Sequence, residues 1–369
     1  MATGPDSQDV VEDGDGDDGQ QGGEMEANGK PVGVHPDACR LVFRGATGVG
    51  FPRPAERLAS TGTVRATVLF ADFADVAADR TPQQLFDVLS PDAEDFFKAV
   101  SYGRLDLVLE PHLEWLHLSQ NASVYGAGIA TFVGHRTFIA EAMALADPAI
   151  DFSHTDLVVV MSTPNARAIP IGPTWMGVPG RALEADGNAI LNGITSGADI
   201  QTWGGRWLNH EMGHSMSLPD LYRYNGNGGF TRPFSVMDLI SSAAPEPLAW
   251  ERWQLGWLDD EQVLCNPEPA DIALSPIERQ GGTKAVMVRT SDARVIAVES
   301  RRAIGYDARL QRVGAVVSVI DSSVQRGFGQ IRVANQQQAL LAGESTEVDG
   351  VTVTVIRSTD AGDVVRVSR

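Results

Sequence analysis

The chain has 369 residues, enough for two packed domains, and its 43% hydrophobic fraction is that of a globular protein with a buried core. Its formal charge is −19; nine acids against the single base Lys30 in the first 30 residues supply −8 of this. Such a surface repels nucleic acid and anionic lipid, and with no run of about 18 apolar residues the sequence predicts no membrane span.

Residues 1–36 are rich in Gly, Asp, Glu and Gln and poor in large apolar groups, so they read as a disordered acidic tail that cannot bury enough surface to offset its ordering entropy. Within it, Asp13, Asp15, Asp17 and Glu24 fall at the first, third, fifth and twelfth positions of a Ca²⁺ loop. The sixth position is Asp18 rather than glycine and no helices flank the stretch, so calcium is its weaker reading. Met1 to Gln20 lacks both a basic region and an apolar stretch, so no signal peptide is visible. Cys39 and Cys265 are the only cysteines; a long-range disulfide in an exported protein and two unpaired buried thiols both fit.

Order is expected from about Cys39. Thr63 to Phe73 reads as a buried strand, and Pro82 to Val100 as two short helices broken at Ser90-Pro91. Leu105 to Leu109 alternates like a strand, and Thr131 to Ala146 has helical spacing that stops before Asp147-Pro148. Asp156 to Met161 is apolar on both faces, as in a sheet covered by helices. Residues 164–200, rich in Gly and Pro, read as a long irregular surface connection, and Trp203 to Ser217 as a helix. From about Glu261 short β-branched runs recur with turn residues between them (Lys284–Arg289, Val295–Glu299, Gly314–Ile320, Val348–Ile356, Asp363–Val367). This pattern predicts an antiparallel β-sandwich. The expected organisation is therefore a tail over 1–36, a first domain over 37–260 and a β-domain over 261–369.

The chemistry concentrates in Asn209-His-Glu-Met-Gly-His-Ser-Met-Ser-Leu-Pro-Asp-Leu-Tyr222. Histidines four apart on a helix share a face, so His210 and His214 can reach one ion, and neutral imidazole suits Zn²⁺. Glu211 cannot point with that pair; it borders the open metal position and can take a proton from a metal-activated water that attacks a peptide carbonyl. Trp207, Leu208 and Met212 can cover the helix's buried side. A third ligand follows by elimination. No histidine occurs after His214, and no glutamate occurs between Ser215 and Pro245; the acids there are Asp220 and Asp238. Asp220 lies at the third-ligand position of an HExxHxxGxxH/D pattern, and Leu218-Pro219 ends the helix so that the chain can turn back. A turn or capping role is the alternative for Asp220. Ser217 stands where that pattern has glycine, in a left-handed position that costs a serine on the order of 1 kcal/mol.

Ser235-Val236-Met237-Asp238 resembles the methionine turn that floors the zinc site in metzincin-type enzymes, although a methionine in an apolar run also suits ordinary core. Tyr222 can donate to an oxyanion or pack under its loop. Residues 224–230 read as a mobile loop near the cleft. His35, His112, His117, His135 and His154 read as surface or satisfied core histidines.

These segments together resemble the immune inhibitor A family of secreted bacterial metallopeptidases. Besides the motif, Val68-Leu-Phe-Ala-Asp-Phe73, Ser101-Tyr-Gly-Arg-Leu105 and Leu248-Ala-Trp-Glu-Arg-Trp-Gln-Leu-Gly-Trp257 are similar to family segments, over about residues 60–260. Glu299-Ser-Arg-Arg and Gly305-Tyr-Asp307 are similar, less specifically, to the β-domain that follows. The resemblance implies an α/β zincin domain with a mixed sheet and an HExxH helix, one catalytic zinc on His210, His214 and Asp220, Glu211 as base, a secreted location, and protein or peptide substrates. The competing expectation is a catalytically silent binding protein on a peptidase scaffold.

Overall fold

The computed structural model describes residues 33–369; the calcium-loop match at Asp13, Asp15, Asp17 and Glu24, with nearly all of the acidic tail, lies outside them. The chain is already paired at Val34, whose N–H donates to Cys265 O.

The first sheet is built from β1 (Gly62–Phe73), β2 (Leu105–Leu118), β3 (Leu157–Ser162), β4 (Thr174–Met176) and, after a small hairpin of β5 (Leu183–Ala185) and β6 (Asn188–Ile190), β7 (Asn192–Thr195), in the order β2-β1-β3-β7-β4. All neighbours are parallel except β4, which runs antiparallel to β7 along one edge. Strand β1 alternates between two apolar layers. Val64, Ala66, Val68 and Phe70 face one core, and Leu69, Ala71 and Phe73 face another. Helices α1 (Pro82–Phe86), α2 (Asp92–Val100), α5 (Ile200–Trp203) and α6 (Gly205–Ser215) contribute to the first core, and α3 (Ala122–Gly128) and α4 (Phe132–Ala146) to the second. Every residue of β3 is buried, as a strand covered on both faces must be.

Three expectations need correction. Strand β2 runs to Leu118, well beyond Leu109, because Pro111 is accommodated on an edge strand where the register with β1 shifts between Val68 and Phe70. Residues 164–200 are irregular over most of their length, but they also hold four strands of three or four residues, too short for an alternating pattern to be read. The helix expected from Trp203 is interrupted at Gly204, whose φ of +57° separates α5 from α6.

Beyond α7 (Ala249–Gln254) the chain forms two further sheets. One comprises β8 (Val263–Cys265), β10 (Ala285–Ser291), β11 (Arg294–Arg301), β12 (Gly314–Asp321) and β13 (Ile331–Val333). The other comprises β9 (Asp271–Leu274), β14 (Ser345–Val348), β15 (Val351–Thr359) and β16 (Gly362–Ser368). Their pairings are antiparallel save β8 with β10, and Val286, Ile296 and Val317 from one sheet share an apolar cluster with Ile272, Val353 and Val365 from the other. The opposite face of the first of these sheets, through Met287, Ala297 and Ile320, joins the core that also holds Trp207, Met212 and Trp250. The protein is thus a mixed α/β structure with several sheets and few helices.

Cys39 and Cys265 form a disulfide across 226 residues, which is compatible with an extracellular setting. Among the described residues no helix is long and apolar enough to cross a membrane.

Candidate metal centre

Helix α6 buries Trp207, Leu208 and Met212 completely and turns His210 and His214 into a cavity of about 530 Å³. Gly213 lies between the histidines on the side facing Met237. A Cβ at position 213 would stand 2.3 Å from the Met237 sulfur, so the thioether fits against the helix only because that residue is glycine. Met237 is fully buried, in a tight turn closed by Asp238 N–H to Ser235 O at 3.2 Å, with Ser235 at φ +64°.

Helix α6 ends at Ser215 with Met216 as its C-cap, and Ser217 follows. The φ of Ser217 is +80°, Leu218 N–H donates to Gly213 O at 2.8 Å and Ser217 N–H to His214 O at 2.8 Å, the paired bonds of a Schellman C-cap. Pro219 follows, and Asp220 comes back to the helix.

Both histidine rings have their Nδ1 against a carbonyl oxygen: His210 on Val236 O at 2.8 Å, His214 on Leu218 O at 2.9 Å. A carbonyl only accepts, so each Nδ1 carries the proton, and each neutral ring presents a lone pair at Nε2. Those two Nε2 atoms lie 3.1 Å apart, and Asp220 Oδ1 stands 3.4 Å from His210 Nε2 and 3.1 Å from His214 Nε2. Three acceptors thus converge with no donor among them, and Asp220 Oδ1 is buried without a hydrogen-bond partner. The arrangement is repulsive unless a cation sits among them. Ligands held about 2.0–2.1 Å from a tetrahedral zinc ion are separated by roughly 3.3 Å, which these spacings match. The residues present therefore fit a divalent ion.

Glu211 brings a carboxylate oxygen within 4.8 Å of a ring nitrogen of each histidine. It is less suited than Asp220 to be a ligand, because the Thr174 hydroxyl on β4 lies 2.7 Å from its Oε2 and 2.8 Å from its carbonyl oxygen. Glu211 lines the same cavity.

The three groups also shift one another's proton affinity. Burial works against a charge on His214, but the Asp220 carboxylate outweighs it and raises the imidazolium pKa to about 9. For Asp220 burial acts upward, but the charge on His214 and the hydrogen bond from the Tyr224 hydroxyl hold it well below the usual carboxylate range. Burial pushes Glu211 up, and the neighbouring histidine charges pull it part of the way back.

Tyr222 stacks on His210, with ring centroids 6.3 Å apart and planes 23° from parallel, and it lines the cavity. Sequence reasoning missed three other groups. Tyr224 donates its hydroxyl hydrogen bond to Asp220 Oδ2. Gln330, just before β13, donates from Nε2 to Asp220 O at 2.5 Å. Thr174 holds Glu211. Thr174 and Gln330 lie far from the motif in sequence and carry no local signal; Tyr224, two residues after Tyr222, stood in the stretch read as a mobile loop. The second acid of the window, Asp238, is a loop clamp: its Oδ2 accepts from Thr231 N–H at 2.6 Å and Thr231 Oγ1 at 2.9 Å.

The remaining histidines lie elsewhere. His135 is buried with Nε2 2.9 Å from Thr195 Oγ1, and His117 Nδ1 is 2.6 Å from Asp72 Oδ1. His112 is 3.8 Å from Glu114, His35 lies beside Asp37, and His154 lines a separate surface pocket. The chain matches no known family model and no curated protein.

Proposed function

We propose that this chain is a zinc-dependent endopeptidase of the zincin type, with His210, His214 and Asp220 as ligands, Glu211 as general base, Met237 as the apolar floor and the two C-terminal sheets as a sandwich-like β-domain. The observation that carries the reading is the convergence of two proton-free imidazole nitrogens and an orphaned carboxylate oxygen on one point in a cavity. The family resemblance to immune inhibitor A peptidases and a secreted location belong to the same proposal.

A zinc ion held there supplies a Lewis acid that makes water nucleophilic near neutral pH. The protein's own residues do the rest. Glu211 is fixed by the Thr174 hydroxyl, so one carboxylate oxygen is oriented and the group can take the water's proton and pass it to the leaving amine. Strand β4 is the unpaired edge of its sheet and sits against α6 through Thr174, so an extended peptide can add to it as a further strand. Tyr222, on the cavity wall beside His210, is the donor available to the substrate's carbonyl oxygen.

The test is metal content together with hydrolysis of unfolded casein by the natural protein and by Glu211→Ala. The expected result is about one zinc per chain in both and cleavage only by the former, with turnover falling on the order of a hundredfold or more in the variant. Zinc in both without cleavage by either would favour the silent binding protein, and absence of bound zinc would end the metal reading.

A further inference from the structure

One residue of the cavity lining, Arg326, comes from the C-terminal sheets. Residues 322–330 join β12 to β13 and reach across to the segment that carries Asp220. Tyr224 N–H donates to Gly327 O at 3.2 Å, and a Cβ on Gly327 would lie 2.3 Å from the Tyr224 ring, so the ring rests directly on that backbone. Gly329 cradles Phe230 in the same way, with a Cβ contact of 3.1 Å. On the other side, Arg326 N–H donates to Ala46 O at 3.3 Å. The backbone that carries Arg326 is therefore tied down on both sides.

Arg326 lines the cavity, and among the described residues it is the only arginine or lysine that does. Its side chain is exposed, and among the described residues its guanidinium has no hydrogen bond or ion pair, lying only within electrostatic reach of the Tyr224 hydroxyl. The acids of the cavity are held by other groups, Asp220 and Glu211 as described, Asp238 through Oδ2 alone by Thr231, and Asp199 by the N–H groups of Gly172 and Gly197 at 3.2 Å each. One positive charge on an anchored backbone, without a counter-ion among the described residues, thus lies at the cleft of a chain with a net charge of −19. Guanidinium groups bind carboxylates through two parallel N–H bonds, with both charge and geometry favouring that ligand.

We propose that Arg326 forms a carboxylate-binding subsite of the cleft, so that the preferred substrate is a peptide presenting an acidic side chain or its free C-terminal carboxylate at the Tyr224 end. The proposal rests on the peptidase reading for the nature of the ligand, a peptide.

Binding can be measured without turnover. Fluorescein-labelled peptides of one sequence, with Glu or Gln at each position in turn and with free or amidated C-termini, are titrated into the Glu211→Ala protein and followed by anisotropy. The expected result is that one carboxylate raises affinity on the order of tenfold over its amide, less so at high salt. In the Glu211→Ala/Arg326→Gln protein the ratio falls towards one, and Arg326→Lys retains part of it. A gain at an internal Glu identifies a side-chain subsite; a gain from the free terminus identifies recognition of the chain end. Bound zinc equal to that of the parent shows that the loop still supports Asp220. Equal affinity for acid and amide in the parent, discrimination that survives R326Q, or no binding of any peptide would overturn the subsite. Failure of the natural protein to cut casein bears on the peptidase reading instead, and the anisotropy ratio still decides Arg326.

Discussion

Asp220 is the residue on which the candidate centre depends most, and it is held at several points. Gln330 holds its carbonyl, Tyr224 takes Oδ2, and Oδ1 is left to face the two rings. Partners of this kind fix a ligand's orientation, and their loss commonly weakens metal binding by about 10- to 100-fold. Tyr224→Phe removes one hydroxyl and leaves the ring on Gly327, so zinc affinity measured against a chromogenic chelator should fall within that range while the far-ultraviolet circular dichroism is unchanged. An affinity equal to that of the natural protein would mean that Oδ2 needs no partner.

At the scale of the element, α6 is legible and its neighbours are not. The i, i+4 histidines, the apolar underside of Trp207, Leu208 and Met212, and the stop before Pro219 all follow from local spacing. Ser217 is the local conflict: it caps the helix in a conformation that favours glycine, and its hydroxyl is buried without a partner. Ser217→Gly relieves both, so the urea midpoint should rise by the equivalent of about 1 kcal/mol at an unchanged slope. A fall in the midpoint would mean that the serine makes a favourable contact in solution. Other elements were equally local: Thr131 caps α4 through Gly134 N–H, and β3 reads as doubly covered. Strands β4 to β7 were not legible, because strands of three or four residues form only when a neighbour supplies their hydrogen bonds.

At the scale of the molecule, the segments flanking residue 260 meet in a buried ionic network. Arg301 pairs with Glu299 and Asp307 at 2.6 Å each, Arg252 pairs with Glu246, and Ala249 N–H donates to Glu299 Oε2 at 2.6 Å. Glu251 accepts from Ser235 Oγ at 3.1 Å, which links this network to the turn that carries Met237. Three stretches quoted for their family resemblance, 248–257, 299–302 and 305–307, all contribute to this contact. The disulfide ties Cys39 to Cys265 within the same core. In the chain-entropy account a loop of 226 residues contributes about 5 kcal/mol. The paired Cys39→Ser and Cys265→Ser variant should therefore lose up to about that much stability by urea unfolding, and a loss near zero would show that the two segments are held by packing alone.

The amino-acid sequence by itself determined what depends on near neighbours: which histidines share a helical face, where proline stops that helix, which runs alternate, and which acid lies within reach of the turn. Only the tertiary structure decided that Tyr224, Thr174, Gln330 and Arg326 join the cavity, and that Cys39 meets Cys265. The physical reason is range. Helical spacing and capping act over a few residues, whereas these contacts join side chains brought together by sheet order and a shared core, and no local pattern encodes them.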